Sequence, residues 1–463
     1  MKRLDELQRC FQGVIPSLIA TCSADGEPNV TYLSQVYYLD PGHVALSCQF
    51  FNKTRRNVAE NPYATVILQD PLTFENWRLQ LRFLRAETEG PLFDTMAMRI
   101  QVIASHTGMA GVFRLISADV YEVLALTLVE GFLMPPDPVL DAQAPPAPAG
   151  PMTELRGLQL VSERIARAAD LDGLLTETLA ALDECLGFSH SMVLLLDECA
   201  GNLVTLASRG YTSCAGAEVA LGQGVIGTAA QKRRMVRIAG MGAELRYGRA
   251  IRGRVTEVGE QARLAPEIPL PGLCDAQVQL ALPLISCERM VGVLAVESRD
   301  PLGFDEWDEA FLQILGHQIA LGIDRMQTLE ADPDSGTSFR RRADGKRAPR
   351  ARAGRKHSFV YYRNDDCVFV DGEYLIRNVP GKILWKLLRQ HRDEERLEFS
   401  NRELRLDPTL GLPPIKDNLE SRLILLRKRL AEKCPDVRIV PVKRGRFALE
   451  IDAEIELVER EQA

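Results

Sequence analysis

The stretch FFNKTRRNVAENP, from Phe50 to Pro62, places cationic and hydroxyl side chains at the start of a segment with helical character. Asn52 is the expected N-cap of that helix, and Lys53, Thr54 and Arg55 follow it directly. The free amides of a helix N-terminus and nearby cations together favour a bound anion. The pattern therefore predicts a phosphate site, and the alternative is that the arginines lie on a solvated helix face.

A second concentration of positive charge lies near the end of the sequence. Between Arg422 and Arg446 there are nine cations against two acidic residues. The cations are Arg422, Arg427, Lys428, Arg429, Lys433, Arg438, Lys443, Arg444 and Arg446. Because the net charge of the whole chain is −7, this is a local basic surface, not a uniformly basic coat. A local surface of this kind suits the phosphates of a nucleic acid.

The ten cysteines do not form a metal-binding pattern. They occur singly, whereas structural zinc sites pair their ligands within about two to four residues, so we expect no metal site and no disulfide framework. Most of them are expected to be small buried hydrophobic residues. Five share one region, which leaves a thiol-based sensor or a metal cluster as the alternative there. These five are Cys185, Cys199, Cys214, Cys274 and Cys287.

Length and composition bound the architecture. A chain of 463 residues exceeds one hydrophobic core and predicts two to four domains. The Pro/Ala-rich residues 134–151 and the basic residues 331–357 lack an apolar period, so we expect two linkers, the second disordered. They delimit domains at 1–133, 152–330 and 358–463. No apolar run is long enough to span a bilayer, no signal peptide is evident, and we expect the protein in the cytoplasm without membrane contact.

The first block consists of short apolar runs broken by the turn signals ADGEP and DPGH. Regular spacing of this kind is typical of a small antiparallel barrel. The later segment FDTMAMRIQVIASHTGMAGVF is rich in methionine, with Met96, Ile100 and Ile103 on one helical face. We expect this face to pack in a core. A lone histidine in it, His106, is expected to be structural.

The order of these segments, YYLDPGHVALSCQ, KTRRN, WRLQLRFLRAETEG and FRLISADVYEV, resembles the pyridoxamine 5'-phosphate oxidase-like FMN-binding split barrels. The resemblance implies that Ser47, Lys53, Thr54 and Arg55 bind the phosphate of FMN. Heme and deazaflavin are alternatives that the family admits. The substrate residues of the family have no placed counterpart here, so the resemblance does not imply vitamin B6 oxidation, and we assign no catalytic residue.

The second block begins with two amphipathic helices between Thr153 and Leu186, followed by the strand SMVLLLD and a second strand, LVTLASRG. GQGVIG, VQLALPLISCERMVGVLAVES and a long final helix come next, and the whole order resembles a GAF domain. GQGVIG is not a dinucleotide fingerprint, because it lacks a preceding βα unit and a later acidic residue. The resemblance implies a small-molecule pocket and a dimerisation module, with no indication of the ligand.

Two features of this block suggest how it contacts other parts. The final helix carries a broad apolar face, which favours packing against a partner helix and hence a homodimer. Its residues are Phe304, Trp307, Phe311, Ile314, Leu315 and Gln318. The insertion GMGAELRYGRAIRGRVTEVGEQARLAPEIPLPG is longer than a minimal loop and is expected to form a lid over the pocket.

In the third block, Ser400 and Glu403 of FSNRELRL have the spacing of a capping box at the start of a helix. With the later segments RLILLRKRL and VKRGRFALEI, the block resembles the winged helix-turn-helix effector domain of response regulators. RLILLRKRL corresponds to the recognition helix, and VKRGRFALEI to the wing. The resemblance implies that this helix enters the major groove and that the wing touches the DNA backbone. The implied DNA-binding residues are Ser421, Arg422, Lys428, Arg429, Lys443, Arg444 and Arg446. No receiver domain precedes the block, so a phosphorelay is not implied.

One feature of the helix departs from the family. Ile424 and Leu425 stand where base-reading polar side chains are usual. They either contact thymine methyl groups or pack against protein. DNA binding and a protein-docking role therefore both remain open for this helix.

Together the sequence predicts a multi-domain α+β protein: a split β-barrel, a GAF α/β sandwich and a winged helix-turn-helix. We expect a ligand- or redox-sensing transcriptional regulator, in which a cofactor or metabolite in the barrel or the GAF pocket controls DNA binding. The alternatives are an FMN-dependent oxidoreductase with regulatory domains and a protein-docking scaffold.

Overall fold

The computed structural model describes residues 2–33, 35–49, 52–129, 151–198, 201–211, 216–257, 259, 261–331, 355–412, 419–443 and 445–461, with the backbone alone at 52, 151–154, 261, 328–331 and 443. Most of the two predicted linkers lies outside these ranges. A helix already begins at Pro151 and a strand at Lys356, so the domains extend slightly into the predicted linkers. In the ranges given, no helix has the length and apolar character needed to cross a membrane.

The first domain, as far as it is described, is built on seven antiparallel strands in the order β2-β1-β5-β6-β7-β4-β3. The strands are β1 (Ser17–Cys22), β2 (Pro28–Leu33), β3 (Val36–Asp40), β4 (His43–Cys48), β5 (Tyr63–Gln69), β6 (Asn76–Glu87) and β7 (Ser117–Leu128). Along β6, the buried residues Trp77, Leu79 and Leu81 alternate with exposed polar ones, as the two-residue period of a strand requires. The predicted antiparallel β-rich domain is confirmed.

Two helices accompany this sheet, α1 (Asn52–Glu60) and α2 (Pro91–His106), together with a 3-10 segment at Leu4–Gln12. The 3-10 segment packs on the sheet and closes the core of the domain. Helix α2 begins with a proline at its first position, where the missing N–H costs nothing.

The middle domain has a six-stranded antiparallel sheet in the order β10-β9-β8-β13-β12-β11, within the described residues. The strands are β8 (His190–Asp197), β9 (Asn202–Arg209), β10 (Glu218–Ala220), β11 (Val236–Ala239), β12 (Val278–Ser286) and β13 (Arg289–Ser298). The hairpin between β12 and β13 turns at Cys287 and Glu288, both with positive φ, where the sequence predicts it.

Helices cover both faces of this sheet. They are α3 (Pro151–Arg167), α4 (Leu171–Leu186), α5 (Gly224–Lys232), α6 (Met241–Glu257) and α7 (Glu306–Ala331), with a 3-10 turn at Gln261–Arg263. On β13, Leu294 and Val296 pack with α3, α4 and α7, whereas Val293 and Ala295 pack with α5 and α6. The sheet is therefore the middle layer of three.

Helix α2 of the first domain completes the α5–α6 side of that sheet. Its apolar side chains, Met98, Ile100 and Ile103 among them, share one buried cluster with Met192 and Ala295 of the middle domain. The predicted core role of the methionine-rich helix is confirmed, but the core belongs to two domains. The first and middle domains are joined through this common core.

The C-terminal domain begins with the strands β14 (Lys356–Tyr362), β15 (Cys367–Val370) and β16 (Glu373–Ile376). Helices α8 (Asn378–Glu394), α9 (Asn401–Leu406) and α10 (Leu419–Lys433) follow, with a 3-10 turn at Pro408–Leu410. The strands β17 (Glu398–Ser400), β18 (Val437–Lys443) and β19 (Arg446–Ile451) form a small sheet, and β20 (Glu454–Arg460) pairs in parallel with β14. Ser400 and Glu403 form the predicted capping box at the start of α9.

Candidate functional site

A pocket in the first domain contains most of the residues predicted to bind phosphate. Ser47 on β4 and Thr54 and Arg55 on α1 line it, together with Asp119 and Tyr121 of β7. Its empty volume is about 280 Å³. Two hydroxyls and a guanidinium are donors that suit a phosphate group. The sheet brings β4 and β7 together as neighbours, which is why residues far apart in sequence meet here.

The structure places Lys53, the fourth predicted residue, outside this pocket lining. Its Nζ lies 2.8 Å from Glu27 Oε1, across from the turn before β2. Thr54 Oγ1 accepts a hydrogen bond of 2.9 Å from Asn29 Nδ2. Successive residues on a helix point in directions about 100° apart, so one short helix cannot aim all of its polar side chains at one anion.

Asp119 is the residue of this pocket that sequence reasoning missed. Burial raises the pKa of its carboxyl, while the hydrogen bond from Ser117 and the positive charge of Arg55 lower it. A carboxylate opposes a second anion, so a phosphate here favours the protonated form of Asp119. The signal in the sequence was an acidic residue between the apolar residues Ala118 and Val120 of the closing strand.

The junction between the first and middle domains is held by buried polar contacts. Arg99 of α2 and Glu244 of α6 form an ion pair of 2.8 Å, and both side chains are almost fully buried. Arg252 Nη1 donates to the carbonyl oxygens of Thr107 and Ala265 at 2.7 Å each. The insertion predicted to be a lid therefore holds α2 in place.

The second glycine of GQGVIG has a specific role at this junction. Gly224 has a φ of +61°, and its N–H donates to Ser105 Oγ at 2.8 Å. A Cβ atom there would stand 2.9 Å from the ring of His106, so only glycine lets the two domains approach. His106 Nδ1 lies 3.0 Å from the carbonyl oxygen of Ile268, and burial lowers the pKa of His106. The ring is thus a neutral structural contact, as expected.

The C-terminal domain docks on the middle domain through α10. Lys428 Nζ donates to the carbonyl oxygen of Leu206 at 2.7 Å. Arg422 lies 3.5 Å from Asp197. The apolar residues of the two domains form one continuous buried cluster at this junction. Helix α10 therefore contacts β8 and β9 of the middle-domain sheet directly.

A second contact of the same junction involves the residue before α8. Arg377 donates from Nε and Nη2 to the two carboxylate oxygens of Glu218 on β10, at 3.1 and 2.5 Å. Such a bidentate pair fixes orientation as well as distance. Neither residue was singled out from the sequence, because a pair 159 residues apart carries no local signal.

Because α10 docks on the middle domain, some of the predicted DNA-binding residues are buried. Ser421 and Arg422 are each 6% exposed, and Ile424 and Leu425 are buried too. On the wing, Arg446 is exposed; the side chain of Lys443 and all of Arg444 lie outside the described residues. The middle domain covers this face of α10, and Ile424 and Leu425 pack against protein there, which is the second of the two alternatives left open for them.

Between the two domains a cleft remains next to α10. Its empty space, including the part open to solvent, is about 650 Å³. Residues of β8, β9 and β10 form one wall, and residues of β16, α8 and α10 form the other. This space is larger than that of the pocket lined by Ser47, Thr54 and Arg55.

The thiols of the middle domain do not converge in the described part of the chain. Cys185 is half-buried, and Cys274 and Cys287 are exposed. Cys199 and Cys214 lie outside the described residues. No group of three or more His, Cys, Asp or Glu side chains is placed to hold a metal ion in the ranges that the structure covers.

Comparison with family models assigns two of the three domains. Residues 168–324 match the model described as GAF domain. Residues 168–324 form a GAF domain. Residues 4–124 match the model described as Pyridoxamine 5'-phosphate oxidase, so the first domain is similar to that family. This pairing with a GAF domain indicates a sensing or regulatory protein.

Solved structures similar to the chain each cover part of it. The GAF domain of a phosphoenolpyruvate-protein phosphotransferase from Coxiella burnetii is 20% identical, covering 40% of this chain and 99% of that one, with a TM-score of 0.32. A free methionine-R-sulfoxide reductase from Neisseria meningitidis, in complex with its substrate, is 21% identical over 39% of this chain and 95% of its own, with a TM-score of 0.32. An FMN-binding protein from Syntrophomonas wolfei is 17% identical over 28% and 89%, with a TM-score of 0.23. A search of curated proteins gave no match.

Proposed function

We propose that the protein is a sensor that controls DNA binding by its C-terminal domain. Three helices followed by the hairpin of β18 and β19 support a winged helix-turn-helix interpretation of that domain. The concentration of cations from Arg422 to Arg446 supports nucleic acid as the partner. The GAF domain supplies the sensing module.

The observation that carries this proposal is the docking of α10 on the GAF domain. A helix that is to enter a major groove has to present its outer face, and here that face is covered. The docked state is therefore the DNA-free state, and DNA binding requires release of the C-terminal domain. A signal controls the switch if it binds one of the two states more tightly than the other.

Charge reversal on the GAF side tests this switch without touching the DNA-binding residues. Asp197→Arg with Glu218→Arg places cations opposite Arg422 and Arg377 and should release the C-terminal domain. We expect at least a tenfold tighter retention of the DNA upstream of the coding sequence, measured by fluorescence anisotropy, with an increase in radius of gyration measured by X-ray scattering. A steep loss of affinity with salt should accompany it.

Glu163→Arg, on α3, is the matched control. Glu163 pairs with Arg167 of the same helix, and its replacement by arginine also adds positive charge to the GAF domain. In the released variant, Arg446→Ala should remove part of the gain. The proposal fails if the released variant is extended in solution yet binds DNA no more tightly than the Glu163→Arg control.

The proposal includes a homodimer formed through α7. Its outer face exposes Trp307, Ile314 and Leu321 at 66%, 49% and 57%, while Phe304 and Leu315 of the predicted stripe are buried in the GAF domain itself. A spacing of seven residues places the three exposed side chains on one line along the helix. Two copies of such a line pack against each other about a two-fold axis.

The proposal also includes FMN in the first domain. The donors of Ser47, Thr54 and Arg55 fit a phosphate group, and the match to the oxidase model supports a flavin. Those three residues would hold the phosphate end of the cofactor. Bound FMN would supply a redox-active ring, so the protein would sense redox state. The visible absorption spectrum of the purified protein tests this: absence of a flavin band, also after incubation with FMN, contradicts it.

A further inference from the structure

The cleft beside α10 has the features of a ligand site that spans two domains. Leu195 and Val204 of the GAF domain and Ile376 and Leu425 of the C-terminal domain provide apolar walls. Small-molecule pockets are mostly apolar with a few placed polar groups, and the lining of this cleft has that composition. A ligand here would touch both domains at once.

The charged groups that line the cleft favour an anion. Arg377, Arg422 and Arg429 stand against Asp197 and Glu218, which leaves an excess of one positive charge in the lining. Arg377 neutralises the charge of Glu218 in the bidentate pair. Arg422 and Arg429 are therefore the guanidinium groups next to the remaining space. Arg422 also lies 3.5 Å from Asp197, and Arg429 donates to the carbonyl oxygen of Leu375 and pairs with Glu432.

An independent observation at Ser421 also indicates a ligand. Its side chain lines the cleft and is 6% exposed, and among the described residues its Oγ has no hydrogen-bond partner. A buried hydroxyl without a partner costs free energy, which a bound acceptor recovers. Ser421 lies in the first turn of α10 as described, Leu419–Lys433, where the helix dipole also favours negative charge.

We infer that this cleft binds a small organic monoanion with an apolar body, such as a carboxylate, with the anionic group at Ser421 and Arg422. Because the ligand contacts both domains, it binds the docked state and stabilises it, as any ligand stabilises the state to which it binds. This inference rests on the proposed function for its consequence at DNA, but the binding itself does not depend on DNA.

Three eight-carbon probes that differ only in their head group test the site on the full chain. Octanoate is the anion, octanol the neutral analogue and octylammonium the cation, each titrated by calorimetry. We expect octanoate to bind at least about tenfold more tightly than the other two, because a charge-assisted hydrogen bond is formed only with the anion. Arg422→Gln should remove about that tenfold preference, and Ser421→Phe should block all binding by filling the cleft.

Arg427→Gln on the same helix is the matched control, because Arg427 does not line the cleft and pairs with Glu420. It should leave octanoate binding unchanged and reports any general damage to α10. The inference is overturned if octanoate does not bind, if the three probes bind equally, or if Arg422→Gln affects octanoate no more than Arg427→Gln does.

The outcomes at DNA are separate. If octanoate binds as expected but the charge-reversed variant retains DNA no more tightly than the Glu163→Arg control, the site stands and the proposed function fails. If charge reversal releases DNA binding but octanoate does not bind, the proposed function stands and the cleft is not a monoanion site.

Discussion

Lys428 and Asp172 form an ion pair of 3.0 Å across the junction of the C-terminal and GAF domains. The same ammonium group donates to the carbonyl oxygen of Leu206, 2.7 Å away. One cation of the predicted recognition helix thus contacts two oxygen atoms of another domain. In the proposed function, a phosphate of DNA competes with these two oxygen atoms for the same ammonium group.

Asp172→Asn should loosen the docking of α10. The substitution removes the negative charge but keeps the shape, so we expect a loss of about 0.5–1 kcal/mol, the value of a partly exposed ion pair. Hydrogen exchange of the peptides that cover α10 is the measurement, and protection should fall by about two- to fivefold. Glu163→Gln on α3 is the control. Equal protection in both variants would show that the pair does not hold the junction.

The buried pair Arg99–Glu244 should contribute far more to stability. Glu244→Ala leaves the guanidinium of Arg99 buried without its carboxylate, and we expect the free energy of unfolding to fall by about 3–5 kcal/mol in urea. Arg249→Ala, which removes an exposed pair with Glu267, should cost less than about 1 kcal/mol.

The double variant Arg99→Met with Glu244→Leu separates charge burial from packing. It should recover most of the stability lost in Glu244→Ala, because two apolar side chains replace a pair that needed mutual neutralisation. If the double variant is as unstable as Glu244→Ala, the loss arises from packing of α2 and not from the uncompensated charge.

The position of Asp119 predicts how the first-domain pocket responds to FMN. Asp119→Asn should tighten FMN binding several-fold at neutral pH, because it removes a negative charge that faces the phosphate. Arg55→Ala should weaken binding, and Lys53→Ala should have little effect, since Lys53 pairs with Glu27. Quenching of FMN fluorescence measures all three. A larger effect of Lys53 than of Arg55 would place the phosphate outside this pocket.

The exposed stripe of α7 should determine the oligomeric state. Trp307→Glu with Ile314→Glu puts charge on both sides of the expected two-fold interface, and we expect the molar mass from light scattering to fall from that of a dimer to that of one chain. Leu397→Glu, an equally exposed apolar position in the C-terminal domain, is the control. A wild-type protein that is monomeric at all accessible concentrations would contradict the stripe as an interface.

His357 should make the start of the C-terminal domain sensitive to pH. Its ring nitrogens lie 3.0 Å from Asp436 Oδ2 and 2.6 Å from Asp371 Oδ2, and these two contacts raise the pKa of His357 above 6.5. Because the pKa of His357 is higher in the folded protein than in the unfolded chain, the stabilisation is complete below the unfolded-state pKa. It is lost as the pH rises through the folded-state pKa. The hydrogen bond from His357 lowers the pKa of Asp436. The part of the stabilisation that depends on the Asp436 carboxylate is therefore lost only in acid.

Hydrogen exchange of β14, corrected for the intrinsic rate, checks this at about pH 6 and about pH 9. Wild type should lose protection at the higher pH, and His357→Gln should show little change between the two. His391→Gln is the control, because His391 contacts the main-chain oxygen of Arg396. An identical pH response in wild type and His357→Gln would exclude the histidine as its source.

Features encoded locally in the sequence could be predicted, and several are confirmed. The capping box of Ser400 and Glu403 and the turn at Cys287 and Glu288 depend on residues a few positions apart. The alternation along β6 likewise follows from strand geometry alone. Such patterns fix the elements, and the order of the elements indicated the two domain families.

Contacts between domains could not be predicted in the same way. A helical wheel places Ile424 and Leu425 on the outer face of α10, but it does not show that another domain covers that face. Arg377 and Glu218 meet only after both domains have folded. The direction of Lys53, away from its neighbours in the same helix, also depends on Glu27 in a distant turn.

Helix α2 lies on the far side of a proline- and alanine-rich segment from the sheet that it covers. The buried cluster of the GAF domain therefore includes residues that precede the linker and lie outside the sequence of that domain. A fragment cut within that segment would lack the residues around Met98 and Ile103, and the apolar side chains of α5 and α6 that share a cluster with them would be exposed. A fusion protein that borrows this GAF domain must therefore retain the preceding domain.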